Sequence, residues 1–148
     1  TLKVIMNVDL SDVSWKQATL PVLSGGLGVR LAVDLALPAF LSSVNGASEL
    51  TRKLLPSRLH VLSGNRDPVS IAASLEWQTR CASDVPDPTR AGIQKAWDAP
   101  FVSRKYEEVL SAAHNQAGRA RLLAAAAPLS GDFLHAIPCS SVGQNKTR

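Results

Sequence analysis

The chain has 148 residues, the length of one domain, and a domain of that size buries roughly 70% of its unfolded surface without disulfides or metal. Apolar residues make up 45% and aromatics only 5%, with Ala and Leu abundant, which favours helices packed through small side chains over a β-sandwich. The net charge of +4, from 16 basic and 12 acidic residues, is mild and scattered. It is compatible with a nucleic-acid backbone, but an ordinary solvated surface explains it better.

Cys81 and Cys139 are the only cysteines. Their separation excludes zinc spacing and a disulfide framework and points to reduced thiols in an intracellular protein, nucleus or cytoplasm being left open. There is no signal peptide, and the longest apolar run, Val29 to Val44, is too short for a bilayer and holds Arg30, Asp34 and Pro38. The chain begins at Thr1 with its sole methionine at Met6, so it reads as a piece of a longer frame.

Residues Thr1 to Leu10 fit a strand or a helix tail. A short helix is expected from Ser11, its cap, to Thr19, with Asp12 at its positive start and Val13 and Trp15 packing. Pro21 ends it. Gly25, Gly26 and Gly28 form a turn. The Walker signature Gly-Lys-Ser/Thr is missing, and a dinucleotide fingerprint would need glycine where Leu31 stands, so these glycines are read as a φ > 0 turn and no cofactor is expected.

The apolar helix Val29 to Val44 follows. It is apolar on nearly every face and therefore reads as buried, with Arg30 and Asp34 paired four apart and a kink at Pro38. Asn45-Gly46 should stop it, and a second helix should run from Ala47 to Leu55. Asp67-Pro68 is a strong helix start; that helix should reach Ala82 with Ile71, Leu75 and Gln78 or Thr79 inward and Trp77 at the edge. Asp87-Pro88 should open another, through Ile93 and Trp97 to Asp98, broken by Pro100. Phe101 to Asn115 carries Val102, Tyr106, Val109, Leu110 and Ala113 at helical spacing. Gln116 to Ala127 continues it after a bend near Gly118. Ser130 caps a last turn with Phe133, Leu134 and Ile137, and Gly143 to Arg148 is polar and disordered.

No constellation carries catalysis. His60, His114 and His135 are scattered, and Glu107 and Glu108 diverge on a helix. Asp9, Asp12, Asp84 and Asp87 are explained more cheaply by capping, whereas acid–base work needs convergent carboxylates. The basic residues form two loose groups, Arg52, Lys53, Arg58 and Arg66, then Arg104, Lys105, Arg119 and Arg121. Side chains of this type hold phosphates without reading bases. Trp15, Trp77 and Trp97 are candidates for stacking on unpaired bases or for core rims.

Trp15-Lys16-Gln17-Ala18-Thr19-Leu20-Pro21, then Gly25-Gly26-Leu27-Gly28-Val29-Arg30, then the apolar helix with Pro38-Ala39-Phe40-Leu41-Ser42-Ser43 resembles the post-polymerase region of non-LTR retrotransposon reverse transcriptases. In that family a tryptophan, a Leu-Pro step and a GGLG-hydrophobic-Arg turn lie downstream of the palm, around the thumb and linker. The similarity extends over most of the chain, to about Gly143, through Pro128-Leu129-Ser130-Gly131-Asp132-Phe133-Leu134. The family's Tyr-x-Asp-Asp hairpin, its Cys/His knuckle and its endonuclease have no counterpart here, and Gln144 to Arg148 reads as a truncation or an exon junction.

The expected fold is all-α: one irregular bundle around a buried, Pro-kinked helix, with a thumb/linker-like domain over residues 1–142 and a tail over 143–148. The resemblance implies a catalytically inactive fragment of an RNA-directed DNA polymerase, with weak, sequence-independent affinity for an RNA or DNA backbone and the rest of a polyprotein as partner. No membrane, metal or small-molecule substrate is expected. Arg30 alone is carried over from the motif; the other basic residues are proposed from charge. The alternative is a helical protein-interaction module without nucleic-acid binding.

Overall fold

A computed structural model of the chain describes Val4, Asn7 and residues 9–62 and 67–132. Among the described residues the fold is all-α, with no strand. The helices are α1 (Asp12–Ala18), α2 (Ala32–Leu54), α3 (Pro68–Cys81), α4 (Gln94–Ser111) and α5 (Gln116–Ala125), with 3-10 turns at Val22–Ser24 and Ser57–Leu62. Contacts gather into two compact units, Arg30–Glu108 and the pair of segments Thr1–Val29 and Val109–Arg148.

The unit Arg30–Glu108 is built on two indoles. Trp77 on α3 and Trp97 on α4 are fully buried, with Leu41, Ala91 and Phe101 beside them and Leu37, Ala73 and Cys81 at the margin. The rings meet edge to face, centroids 5.0 Å apart at 80°, the arrangement that the ring quadrupoles favour. Each indole N–H is satisfied: Trp77 Nε1 donates to the Trp97 carbonyl at 3.0 Å and Trp97 Nε1 to the Ala91 carbonyl at 2.6 Å. An unpaired buried donor here would cost about 1–3 kcal/mol.

This core corrects two expectations. Trp77 is at the centre, and the inward stripe of α3 runs through Ser70, Ala73, Ser74 and Trp77, leaving Ile71 and Leu75 exposed. One large ring surrounded by small side chains decides which face turns in. The Asp67 cap is as expected: its carboxylate accepts from Val69 N at 2.9 Å and Ser70 N at 3.0 Å, with Pro68 in the first turn. Ala82 closes α3 in the left-handed region at φ 51°.

Helix α2 is one rod of 23 residues, not two helices parted at Asn45-Gly46. Asn45 Nδ2 donates back to the Leu41 carbonyl at 2.7 Å, so this side chain supports the helix it was expected to end. Gly46 serves packing, since a Cβ on Gly92 would come within 3.1 Å of its Cα. The helix runs on through Pro38, which is buried, and stops at Leu55, held extended before Pro56. Burial is one-sided. Pro38, Leu41 and Ser42 face the core, whereas Val33, Phe40, Leu50 and Leu54 are exposed.

Asp87 does not open a helix. It caps a turn, accepting from Thr89 N at 2.8 Å and from the Thr89 hydroxyl at 2.5 Å. Helix α4 starts only at Gln94 and continues through Pro100. Trp97 and Phe101, buried on either side of that proline, anchor the helix strongly enough to offset the bond it lacks.

In the other unit, Ser11 caps α1 by accepting from Ser14 N at 3.2 Å. The following turn wraps back on the end of α1. Leu27 N and Val29 N both donate to the Ala18 carbonyl at 3.2 Å, and Gly28 N to the Leu20 carbonyl at 2.9 Å. Helix α5 is separate from α4: Asn115 caps it, accepting from Gly118 N at 2.6 Å. Ala18, Leu20, Val109 and Leu122 are buried. The expectations for Phe133, Leu134, Ile137, His135, Cys139, Arg66 and residues 143–148 lie outside the described residues, as do most of Thr1 to Leu10.

Candidate functional site

The glycine turn is demanded by geometry. Gly25 and Gly28 adopt φ 75° and 71°, where a Cβ costs about 1–2 kcal/mol. Gly26 is limited by space: a Cβ there would lie 2.1 Å from the Leu20 carbonyl oxygen and 2.6 Å from that of Gln17. Gln17 Nε2 reaches across to the Gly25 carbonyl at 3.1 Å. The turn borders a small apolar cleft with Val22, Leu27, Ala125 and Ser130. At about 170 Å³ it falls below the roughly 300 Å³ of an ordinary ligand site.

Arg30 departs from its expected pairing with Asp34. Its guanidinium donates to Asp98 Oδ1 of α4 at 2.5 Å, with both side chains largely buried. Its Nε is buried with no hydrogen-bond partner. Asp34 instead accepts from Lys105 Nζ at 2.5 Å. Arg30 lies just before α2 and Asp34 in its first turn, while Asp98 and Lys105 lie seven apart on one face of α4. Sequence reading missed Asp98. The only signal was Asp98 and Lys105 at seven-residue spacing on one helix, and nothing in one dimension says which residues they meet.

The remaining basic residues divide by environment. Lys53 pairs with Glu49 at 2.7 Å. Arg104 donates to the Arg80 carbonyl, lies 3.8 Å from Glu108 and sits over the Phe101 ring at 5.7 Å, as Arg80 also does. Arg52, Arg58, Arg119 and Arg121 are exposed, and no ion pair among the described residues involves them. Arg52 and Arg58 belong to one unit, Arg119 and Arg121 to the other.

The stacking role is removed for two tryptophans. Trp77 and Trp97 present no surface to a base, and Trp15 is half-buried. His60 Nε2 lies 2.8 Å from the Leu55 carbonyl, and His114 is exposed elsewhere. Burial pushes the Cys81 thiol up, against the lowering pull of Arg104 and Arg80, so it stays protonated and a poor nucleophile. The Asp67 carboxyl is held below its usual range by the Ser70 hydroxyl and then the Ser70 amide; that of Asp87 is held down by the Thr89 hydroxyl and then its amide. Both shifts belong to caps.

Among the described residues, no cluster of His, Cys, Asp and Glu could hold a metal ion, and no helix is long and apolar enough to cross a membrane. Comparison with protein-family models, curated proteins and solved structures returned no match.

Proposed function

We propose that the chain is a non-catalytic piece of the post-polymerase region of a non-LTR retrotransposon reverse transcriptase, and that it grips RNA or DNA by the backbone, weakly and without reading sequence. The family part of the proposal rests on Trp15 to Pro21 and Gly25 to Arg30. In this fold the motif glycines answer specific demands of the turn and Arg30 is engaged with Asp98.

The observation that carries the binding part is the set of exposed arginines Arg52, Arg58, Arg119 and Arg121. Their guanidiniums are available to phosphates, whereas those of Arg30 and Arg104 and the ammonium of Lys105 already serve contacts inside the fold. With two indoles buried, little is left to stack on bases, which accords with sequence-independent contact.

Fluorescence anisotropy with a labelled single-stranded RNA, repeated across a salt series, tests this. Four phosphate contacts predict a slope of log K against log[salt] of about −3. A flat response, or no binding at low salt, contradicts it. A second reading, a helical protein-interaction module, is favoured by one observation: the apolar side chains that α2 exposes.

A further inference from the structure

Asn45-Gly46 is the only asparagine–glycine step in the chain, and it lies inside a helix of 23 residues. Its chemistry conflicts with that place. Both residues are weak helix formers, and the pair is a strong turn signal. The step is also among the most labile in protein chemistry. Glycine has no side chain to shield its backbone nitrogen, and that nitrogen can attack the amide of the asparagine before it.

We propose that Asn45 is a site of spontaneous deamidation that helix α2 holds shut. In the reaction a bond forms between Gly46 N and Asn45 Cγ, and the Cγ–Nδ2 bond breaks. Nδ2 leaves as ammonia, carrying the proton that the Gly46 amide gives up. The product is a five-membered imide. Water then opens one of its two carbonyl–nitrogen bonds, leaving aspartate or, with the main chain rerouted through the side-chain carbonyl, isoaspartate. Water is the only co-reactant.

Three features shut the site. Asn45 is helical, with ψ near the helical value of about −42°, and the ring closes only at a ψ outside that region. The N–H of a helical Gly46 points along the axis to the carbonyl one turn back, so its nitrogen is not turned toward the side chain. Asn45 Nδ2 donates to the Leu41 carbonyl at 2.7 Å, which draws Cγ toward the preceding turn and away from Gly46.

Gly92 guards the helix at this point. A Cβ on Gly92 would lie 3.1 Å from Gly46 Cα and 3.5 Å from Gly46 N. The two glycines therefore pass backbone to backbone, and the contact is lost when α2 opens here. Opening is reversible, but the chemistry that follows is not. Isoaspartate adds a methylene to the main chain of α2 and a negative charge where a half-buried amide stood. The helix then ends where its sequence alone would end it.

The test incubates the full chain at mildly alkaline pH, in buffer and in urea, and cuts it with trypsin. Peptide 31–52 holds Asn45 as its one asparagine and has no glutamine, so the mass gain of amide-to-acid conversion reports this site alone. In urea Asn45 should convert at the rate of a short peptide of the same sequence. In buffer it should convert at least about 100-fold more slowly, and that factor should match the hydrogen-exchange protection of the Gly46 amide within about threefold. Gly92→Ala presses on Gly46 and should speed conversion in buffer at least about tenfold, with the rate in urea unchanged.

Conversion as fast in buffer as in urea, slowing unrelated to exchange protection, or a Gly92→Ala chain that stays helical and converts no faster each overturns the proposal. Should Gly92→Ala fail to fold, the wild-type match of conversion to exchange decides it alone.

Discussion

Around Trp77 and Trp97 the chain holds together by filling space: two buried indoles, both N–H groups satisfied, and two ionic bridges to α4, one from Arg30 just before α2 and one from Asp34 in its first turn. Around Gly25 to Gly28 it holds together by leaving side chains out, so that amides of the turn can return to the carbonyls of Ala18 and Leu20. The two regions fail differently. A space-filling core is weakened by removal and adjusts to small changes. A close-approach turn is weakened by addition, and at Gly26 even one methyl group has nowhere to go.

The largest expected effect is on the filled side. Trp97→Ala should destabilise by about 3–5 kcal/mol, because it removes a buried ring and also the donor to Ala91. Urea unfolding measures it, and a loss under 1 kcal/mol would mean the indole pair is not the core. On the other side, Gly26→Ala should cost about 2–4 kcal/mol, since overlap with two carbonyl oxygens forces the backbone apart. Gly28→Ala should cost only about 1–2 kcal/mol, because its Cβ would meet no atom closer than 3.5 Å and the strain is in φ alone. The gap between these two glycines separates steric from conformational demand. Equal costs would refute the distinction.

The ionic bridges sharpen the comparison further. Asp98→Asn should destabilise by about 2 kcal/mol, leaving the Arg30 guanidinium buried without its counter-charge. The smallest effect has the opposite sign. Ala82 sits at φ 51°, so Ala82→Gly should stabilise by about 0.5–1 kcal/mol in the same unfolding assay. On acidification, the lowered carboxyl of Asp67 makes its cap fully effective above the unfolded-state value near 3.8. The cap's contribution fades as pH falls through the folded-state value below it. Asp67→Asn should flatten that part of a pH–stability profile.

Much of this was legible in one dimension. The Asp67-Pro68 start, the Ser11 cap, the all-α class and the need for glycine at the turn follow from local chemistry that acts within four residues. What escaped was decided between helices. Asn45-Gly46 looks like a stop, yet the close approach of Gly92 and the back-bond to Leu41 carry α2 through it. Pro100 looks like a break, yet the buried residues beside it hold α4 together. The stripe Ile71–Leu75 looks like the core face of α3, yet Trp77 claims that role. For the candidate site, the glycine turn was readable, while the engagement of Arg30 and Lys105 with carboxylates on the facing helix was not.

The division of the cationic side chains is the claim most open to direct trial. The salt dependence of RNA binding should be compared for the wild-type chain, for Arg52→Gln/Arg58→Gln/Arg119→Gln/Arg121→Gln, and for Lys105→Gln. The expected result is that the quadruple variant keeps its melting temperature and loses its binding and salt slope, while Lys105→Gln melts earlier and keeps the wild-type slope. A quadruple variant that binds like the wild type, or a Lys105→Gln variant that stays folded and loses the slope, would contradict it.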